Sequence, residues 1–323
     1  MAEHSIDRHD NPGSDPRSED GIDRRGFLEC MAWVGTGLLW TVSGGILTAR
    51  TLAHAAEAGT PGSFSFVQIS DSHIGFANPP NRDVTATLQT AIAKINALEP
   101  APAFLLHTGD LTHSQKPGAF DTLAENLKSL KARQIFYVPG EHDVFLDGGK
   151  EYLARYGQGT TGGGWQSFDY QGMHFIGLVN VLNFKAGGLG AIGPEQLEWL
   201  EKDVERLSSS TPIVVFAHVP LWAVYPQWRW ATEVGAQALG YLKRFGSVTV
   251  LNGHIHQVLQ KVEGNVSFYS AMSTAFPQPA PGSAPSPGPM NVPEDQLRHL
   301  LGLRQVNYVQ GTGSLAVIDS TLE

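Results

Sequence analysis

Five short segments of this sequence hold side chains that bind metals or transfer protons. They are Asp71-Ser72-His73, Gly109-Asp110, Gly140-Glu141-His142-Asp143, the single His218, and Gly253-His254-Ile255-His256. Carboxylates and neutral imidazoles are ligands of borderline-hard divalent ions such as Mn, Fe and Zn. Two such ions about 3.5–4 Å apart clamp a phosphate group and generate a hydroxide between them. The segments therefore predict a dinuclear centre that hydrolyses phosphate esters.

The number of side chains matches that chemistry. A dinuclear centre needs one bridging carboxylate and about three further protein ligands for each ion. Seven residues supply this set: Asp71, His73, Asp110, Glu141, His218, His254 and His256. Two residues remain. His142 is predicted to protonate the leaving oxygen, and Asp143 to hold the His142 ring in position.

Each segment follows an apolar run with the length of a buried strand. The runs cover residues 66–70, 103–106, 135–140, 213–217 and 248–253. Short apolar runs of this kind are typical of strands buried in an α/β sheet. Ligands of such sheets bind beyond the carboxyl ends of the strands. We therefore expect the five segments to meet at one edge, with Asp110 able to bridge what the others hold.

Helical spacing and turn residues fill the chain between these runs. Apolar positions predict helices over residues 81–98, 117–132 and 233–245, and a helix that begins at Pro194. Alternating segments predict hairpins over residues 165–179, 257–271 and 305–319. Residues 277–293 are rich in Pro, Gly and Ser, and predict an extended loop that is either a lid or a passive linker. The whole pattern indicates one α/β domain of two mixed sheets packed together with helices outside.

The five segments also resemble the motifs of the calcineurin-like metallophosphoesterases. That family carries Asp-x-His, Gly-Asp, Gly-Asn-His-Asp/Glu, a lone His and Gly-His-x-His at strand ends, and the resemblance covers about residues 64 to 273. It implies a four-layer α/β/β/α sandwich of two mixed sheets flanked by helices. It also implies two ion sites: Asp71, His73 and His256 for one ion, Glu141, His218 and His254 for the other, and Asp110 between them. His142 would contact the substrate phosphate or leaving group without binding metal.

Two positions depart from the family's pattern. Glu141 stands where the family has asparagine, so that a carboxylate replaces a neutral amide and leaves the identity and affinity of the second ion open. His113 stands three residues after Asp110, where the purple acid phosphatases, a branch of the family, have a metal-binding tyrosine. We therefore expect no tyrosinate–iron colour, and His113 has either a role in the site or a structural one.

Other conspicuous residues are open to a structural interpretation. Three histidines outside the motifs, His107, His174 and His299, are predicted to be structural. Residues 221–230 contain Trp222, Trp228 and Trp230 and directly follow His218. This loop either forms an aromatic rim for the organic part of a substrate, with Arg229 near the phosphate, or packs against the preceding strands.

Residues 1–55 predict an export signal rather than part of the fold. Residues 1–21 are polar and expected to be disordered. Arg24 and Arg25, an apolar run over residues 31–49, and Ala53-His54-Ala55 resemble a twin-arginine (Tat) signal cleaved after Ala55. Left uncleaved, the run is about long enough to anchor the protein in a membrane. The phosphoesterase domain is then residues 56–323, exported by the Tat translocon to the periplasm or the cell exterior.

Composition narrows the class of partner. The chain has a formal net charge of −9, and its single cysteine, Cys30, lies within the predicted signal. Residues 56–323 hold 17 basic and 23 acidic residues and no cysteine, which disfavours nucleic acid as a partner and excludes disulfides and a thiol nucleophile. We predict hydrolysis of a phosphomonoester or phosphodiester, from a small molecule or an envelope component, by attack of metal-bound hydroxide. The alternative is a noncatalytic metal- or phosphate-binding protein on the same fold.

Overall fold

The computed structural model describes residues 38–43, 46–51, 62–182, 184, 189–310 and 315–323. The chain separates into two compact units, Met1–Ala55 and Ala56–Glu323. In the first unit, strands β1 (Leu38–Ser43) and β2 (Ile46–Thr51) form an antiparallel pair. The rest of the predicted export signal lies outside the described residues. Within the described ranges, the structure contains no helix that is both long and apolar enough to cross a membrane.

The second unit contains a first mixed sheet, sheet I, made by early and late parts of the chain. Its strands are β3 (Phe64–Ile69), β4 (Leu105–Thr108), β5 (Ile135–Val138), β14 (Gly302–Tyr308) and β15 (Leu315–Thr321). Their order is β15-β14-β3-β4-β5, with β3, β4 and β5 parallel. The late hairpin adds to the edge, because β14 is antiparallel to both β3 and β15.

Sheet II has a matching plan. Its strands are β6 (Gln166–Tyr170), β7 (Met173–Leu178), β9 (Ile213–Ala217), β11 (Val248–Asn252), β12 (Leu259–Glu263) and β13 (Val266–Ser270). They lie in the order β12-β13-β11-β9-β7-β6, with four parallel strands between antiparallel β12 and β6. A separate short parallel pair joins β8 (Gly190–Ala191) to β10 (Thr232–Glu233).

Helices cover the outer faces of both sheets. They are α1 (Val84–Asn96), α2 (Ala119–Leu127), α3 (Lys150–Tyr156), α4 (Pro194–Glu205), α5 (Gly235–Leu242) and α6 (Glu294–Leu300). Residues of α1, α2, α3 and α6 share an apolar cluster with sheet I, and residues of α4 and α5 share one with sheet II. A third cluster lies between the sheets. The predicted α/β/β/α sandwich is therefore confirmed.

Strand β9 shows how the sequence produces these layers. Successive side chains of a strand point to opposite faces. Val214 and Phe216 accordingly join the cluster between the sheets, whereas Ile213 and Val215 join the cluster under α4 and α5. Because all four side chains are buried, the strand reads in sequence as one unbroken apolar run.

The sequence predictions of individual elements were less accurate at their ends. The helix predicted over residues 117–132 ends at Leu127, and the one over 233–245 ends at Leu242. Helices α3 and α6 were not predicted, because each has only seven residues and buries a single apolar position within the element. The last hairpin begins at Gly302 rather than 305, and residues 311–314 between its two strands lie outside the described ranges.

Candidate metal centre

Parallel strands of both sheets deliver the predicted ligands at their carboxyl ends. The order is Asp71 and His73 after β3, Asp110 after β4, Glu141 after β5, His218 after β9, and His254 and His256 after β11. The ligand atoms of these side chains form overlapping groups, in each of which all atoms lie within 4.8 Å of one another. Six of the side chains are buried, and His254 is 12 % exposed. The structure thus brings all seven predicted ligands together.

The backbone is unusual where these side chains leave it. Asp71, His73, Asp110, His254 and His256 all have positive φ values, between 42° and 70°. Such left-handed conformations are uncommon for residues other than glycine and cost about 1–3 kcal/mol each. Amide hydrogen bonds from Asp71 to the Gly109 carbonyl and from His73 to the Asp110 carbonyl, both 2.9 Å, hold two of these turns. The turns direct the side chains of neighbouring segments into one space.

Two glycines make room for the ligands. A Cβ atom on Gly140 would overlap Oδ1 of Asp110, and one on Gly253 would overlap Oγ of Ser70. These glycines immediately precede Glu141 and His254. The Gly in each motif is therefore required by the close approach of neighbouring segments.

The first group of ligands consists of Asp71, His73 and His256. Oδ1 of Asp71 lies 3.2 Å from Nε2 of His256 and 4.0 Å from Nε2 of His73, and the two Nε2 atoms are 3.3 Å apart. Nδ1 of His256 donates a hydrogen bond of 2.6 Å to the Phe276 carbonyl. A neutral His256 therefore presents the lone pair of Nε2 to the other two ligands, as a metal-binding imidazole does.

The second group consists of Glu141, His218 and His254. Nδ1 of His218 donates to the Thr108 carbonyl at 2.7 Å, so that a neutral His218 has a bare Nε2. That Nε2 lies 2.9 Å from Oε2 of Glu141, which is buried and accepts no hydrogen bond. Nδ1 of His254 lies 3.1 Å from the other Glu141 oxygen. Two lone pairs at this distance repel each other unless a positive charge lies between them.

Asp110 lies between the two groups. Its Oδ2 atom is 3.5 Å from Nε2 of His73 and 3.4 Å from Nε2 of His218. Its Oδ1 atom accepts a hydrogen bond of 3.0 Å from the amide of His142. One carboxylate oxygen thus faces both groups, which is the position of a bridging ligand.

The electrostatics of the site favour bound cations. Burial opposes a charge on His218, but Asp110 and Glu141 outweigh it and raise its pKa well above the ordinary value. Burial likewise opposes ionisation of Glu141, but His254 and His218 hold its pKa well below the ordinary value. Burial raises the pKa of Asp71 as well, but His256 and His218 outweigh it, so that the pKa is lowered. The carboxylates are therefore ionised beside positive charge, which the histidines supply here and which divalent ions would supply when bound.

His142 lies at the edge of the centre and faces a cavity. Its side chain is 29 % exposed, and Nε2 is 4.0 Å from Oδ2 of Asp110. Nδ1 donates a hydrogen bond to the His113 carbonyl. Burial lowers the pKa of His142, but Asp110 and Glu141 raise it further, to a net value above the ordinary one. His142 can therefore carry a proton on the atom that faces the cavity.

The structure corrects the predicted role of Asp143. Instead of contacting the His142 ring, its carboxylate accepts from the amides of Gly140, Leu111 and Thr112 at 2.8–3.0 Å, and from the Thr112 hydroxyl at 3.1 Å. The side chain is fully buried and joins the segments that follow β4 and β5. Burial, followed by Asp110, raises its pKa to about 7. Asp143 therefore positions the backbone around Asp110 and does not orient the His142 ring.

His113 belongs to the site, which decides the alternative left open by the sequence. Its Nδ1 lies 3.3 Å from Nδ1 of His73, and its ring lies against that of His142. Burial, and then the neighbouring His142, lower the pKa of His113 to about 4. The histidines predicted to be structural have other partners: His107 contacts Ser72, beside the ligands, whereas His174 pairs with Asp169 and Asp203, and His299 with Glu323.

A cavity of about 350 Å³ adjoins the centre. Its walls include Phe145, Phe184, Trp228 and Trp230 beside the ligands, whereas Trp222 packs on Phe268 away from it. The aromatic loop therefore contributes both to the cavity and to packing. Arg229, which one of the two alternatives placed near the phosphate, is exposed and does not line the cavity.

The Pro-rich residues 277–293 form another wall of the cavity. Gln278 donates to the His254 carbonyl at 2.8 Å and accepts from the Gly288 amide at 3.0 Å, and Pro287, Gly288 and Pro289 line the cavity. These bonds connect the loop to the last ligand motif, so it is not a passive linker. No sequence motif indicated the bond from Gln278 to the His254 carbonyl, or the bond from His256 to the Phe276 carbonyl. Both bonds join separate segments through main-chain atoms.

A four-layer sandwich with a cluster of metal ligands at its strand ends is typical of metal-dependent phosphoesterases. The calcineurin-like phosphoesterase model matches residues 64–258, and the chain belongs to this family. The fold is similar to that of a dimetal phosphatase from Danio rerio, with a TM-score of 0.60, 15 % identity, and coverage of 80 % of this chain and 99 % of that one.

Sequence relatives have several named activities. A 3′,5′-cyclic-nucleotide phosphodiesterase of Nostoc sp. is 27 % identical over 66 % of this chain and 79 % of its own length. A probable glycerophosphodiester phosphodiesterase of Arcobacter nitrofigilis is 24 % identical, over 64 % of this chain and 77 % of its own. A serine/threonine-protein phosphatase of Danio rerio is also 24 % identical, over 61 % of this chain and 71 % of its own. The relatives therefore include both diesterases and a monoesterase.

Proposed function

We propose that this chain hydrolyses phosphate esters at a centre of two divalent ions, either Mn, Fe or Zn. Asp71, His73 and His256 would hold one ion and Glu141, His218 and His254 the other, and Asp110 would serve both. The observation that supports this most directly is the position of His218, whose Nδ1 donates to the Thr108 carbonyl and whose Nε2 lies 2.9 Å from a buried Glu141 oxygen. A divalent ion between these two atoms would take the place of a proton that they otherwise share.

The side chains around the ions have separate tasks in this proposal. When bound, the ion pair supplies positive charge for the phosphoryl oxygens and lowers the pKa of a water molecule that attacks phosphorus. His142 presents Nε2 to the cavity and gives its proton to the leaving oxygen. The His113 carbonyl fixes the orientation of the ring by accepting from Nδ1. Asp143 joins the loop after β4, which contains Asp110, to the loop after β5 by accepting from the amides of Leu111 and Gly140.

The substrate is a phosphomonoester or phosphodiester of a small molecule or an envelope component. The named activities of the relatives support this range. Long nucleic acid is disfavoured by the acidic balance of residues 56–323. The protein meets this substrate after export through the Tat translocon, in the periplasm or outside the cell. Changing Arg24 and Arg25 to Lys should retain the full-length protein in the cytoplasm, as measured by cell fractionation; undiminished export would overturn this route.

Elemental analysis combined with a paired assay tests the catalytic proposal. The purified protein should contain two divalent ions per chain and hydrolyse 4-nitrophenyl phosphate, bis(4-nitrophenyl) phosphate or both. Removal of the ions with a chelator should abolish turnover, and their return should restore it. His299→Ala is the control for loss of a histidine outside the centre, because this exposed residue pairs with Glu323. It should keep both ions and the wild-type activity. A metal-loaded protein that binds phosphate but hydrolyses neither ester would be the noncatalytic alternative.

A further inference from the structure

We infer that the buried pair Gln68 and Arg304 positions the metal centre, by fixing the spacing of the two sheets where the ligand-bearing strands end. Neither residue is one of the predicted ligands, and both act through the main chain of the strands that carry them. The inference rests on the proposed function and adds two positioning residues to it. Three features of the described residues support it: the origin of the ligands, the bonds between the sheets, and the burial of the pair.

Each group of ligands takes side chains from both sheets. In the first group, Asp71 and His73 follow β3 of sheet I, whereas His256 follows β11 of sheet II. The second group is divided in the same way, between β5 of sheet I and β9 and β11 of sheet II. Asp71 lies 3.2 Å from His256, and Glu141 lies 2.9 Å from His218. These distances therefore depend on how far apart the sheets lie at this end.

Gln68 and Arg304 both extend into the layer between the sheets. Gln68 comes two residues after Phe66 on β3, and Arg304 two residues before Val306 on β14. Phe66 and Val306 belong to the apolar cluster between the sheets, and alternate side chains of a strand share a face. Both polar side chains are fully buried. Each therefore stands where an apolar residue would continue the pattern of its strand.

Both side chains reach across this layer to main-chain carbonyls of sheet II. Nε2 of Gln68 donates to the Asn252 carbonyl at 3.1 Å, and Nη2 of Arg304 donates to the Ser270 carbonyl at 2.8 Å. Asn252 and Ser270 are paired at the carboxyl ends of β11 and β13. Asn252 also lies two residues before His254. The pair thus holds the end of sheet II from which ligands of both groups extend.

Further bonds fix the direction in which Gln68 donates. Its Oε1 atom accepts from Nη1 of Arg304 at 3.2 Å, and a guanidinium can only donate. The amide nitrogen must therefore face sheet II, and it also donates to Oγ1 of Thr108 at 3.0 Å. The Thr108 carbonyl in turn accepts from Nδ1 of the ligand His218 at 2.7 Å. Asp319 completes the network by accepting from Nε and Nη2 of Arg304 at 2.9 and 3.0 Å.

Stability alone does not account for this pair. Replacement of a buried ionic network by apolar side chains of similar volume often leaves a protein equally stable or more stable. Phe66 and Val306 show that apolar side chains fill the same layer. Hydrogen bonds differ from apolar contacts in that they specify a distance and a direction. Two such bonds to carbonyls at strand ends suit a device that sets the spacing of the sheets.

Gln68→Met tests the inference, because it keeps the volume of the side chain and removes its donor and acceptor. The metal-free variant is titrated with Mn²⁺, and calorimetry gives the dissociation constants of both ions. Each ion should bind about tenfold more weakly than in the wild type, the lower end of the range for loss of an outer partner. The electron paramagnetic resonance spectrum of the loaded variant should also change, since the coupling of the two Mn²⁺ ions depends on their separation.

Two conservative variants separate the bonds of the network. Gln68→Glu keeps the acceptor for Arg304 but loses the donor to Asn252, and should weaken both ions as Gln68→Met does. Arg304→Lys keeps the positive charge beside Asp319 but loses the planar fork, which a single ammonium does not replace. It should weaken the ions and alter the Mn²⁺ spectrum in the same direction.

Val306→Ala is the control for a change in the same layer. Val306 is buried between the sheets and lies two residues from Arg304, so that its truncation should lower Tm while leaving the Mn²⁺ affinities and spectrum as in the wild type. Wild-type affinities and spectrum in the Gln68 and Arg304 variants would overturn the inference, as would an equal loss in Val306→Ala. A wild-type protein that binds no pair of Mn²⁺ ions would overturn the proposed function itself, and the inference with it.

Discussion

The imidazole of His113 stacks on that of His142, with ring centroids 4.8 Å apart and planes inclined by 18°. The same residue accepts Nδ1–H of His142 through its carbonyl and places its own Nδ1 3.3 Å from Nδ1 of His73. If His73 gives its Nε2 lone pair to an ion, its proton is on Nδ1 and points at His113. One residue therefore supports both a ligand and the proposed acid.

Two substitutions of His113 should separate these roles. His113→Ala removes the acceptor for His73 and should weaken the ion at Asp71, His73 and His256 by roughly 10–100-fold, the usual effect of losing an outer partner. His113→Asn retains an oxygen near the place of Nδ1 and should recover most of that affinity, but not the stack on His142. Metal dissociation constants and turnover of esters with poor leaving groups measure the two effects. Equal metal affinity in wild type and both variants would contradict the support of His73.

Asp110→Asn should reduce the content of both ions together with turnover. The substitution removes the negative charge from the carboxylate whose Oδ2 atom lies 3.5 Å from His73 and 3.4 Å from His218, one histidine of each group. Elemental analysis and ester hydrolysis measure the outcome. Asp83→Asn is a suitable control, because Asp83 caps α1 away from the centre and Asn is an equally good cap. Two ions and near-normal activity in Asp110→Asn would remove Asp110 from the centre of the mechanism.

His142→Ala should leave both ions in place and slow turnover by roughly 10²–10⁴-fold, the span of a positioned acid or base. The loss should be greater for alkyl than for nitrophenyl leaving groups, because only poor leaving groups need a proton. His299→Ala serves as the control for a histidine substitution. Equal losses on both kinds of ester would show that His142 steadies the phosphate without donating a proton.

Glu141→Ala should release one ion and leave the other. Glu141 contacts His218 and His254 and no member of the first group at these distances. Titration of metal content should then give one tight ion per chain in place of two. Retention of two equally tight ions would mean that Asp110, His218 and His254 hold the second ion without Glu141.

His174 should make the stability of the fold depend on pH. Burial lowers the pKa of His174, but Asp203 and Asp169 outweigh it and raise the pKa above 6.5. A raised pKa gives stability that is complete below pH 6.5 and lost as the pH rises through the folded-state value. The deficit of His174→Gln in free energy of unfolding should therefore be larger at pH 6 than at pH 9. Thermal unfolding of both proteins at a fixed metal concentration measures this difference. A deficit that is the same at pH 6 and pH 9 would contradict an ion pair of His174 with Asp203 and Asp169.

The sequence could predict where the ligands lie because each of them follows a buried parallel strand. Buried parallel strands must end at one edge, so Asp71, Asp110 and His218 converge whatever the loops between them do. The role of Asp143 could not be predicted, since its partners are amides whose direction depends on the path of the chain after β4. The cavity walls were missed for a similar reason. The Gln278 side chain donates to the main-chain carbonyl of His254, and Phe276 accepts from His256 through its own main-chain carbonyl. The residue type at a position does not reveal contacts made by main-chain atoms.

The way in which residues 277–293 meet the centre has an evolutionary consequence. The contact that fixes a ligand, from Nδ1 of His256, ends on the main-chain carbonyl of Phe276, just before the loop, and Pro287, Gly288 and Pro289 line the cavity. Apart from Gln278, whose side chain holds the His254 carbonyl, the sequence of this loop can therefore diverge without disturbing the ligands. Lineages with the same five motifs would acquire new substrates by exchanging this one segment, and a grafted loop would carry the preference of its donor with it.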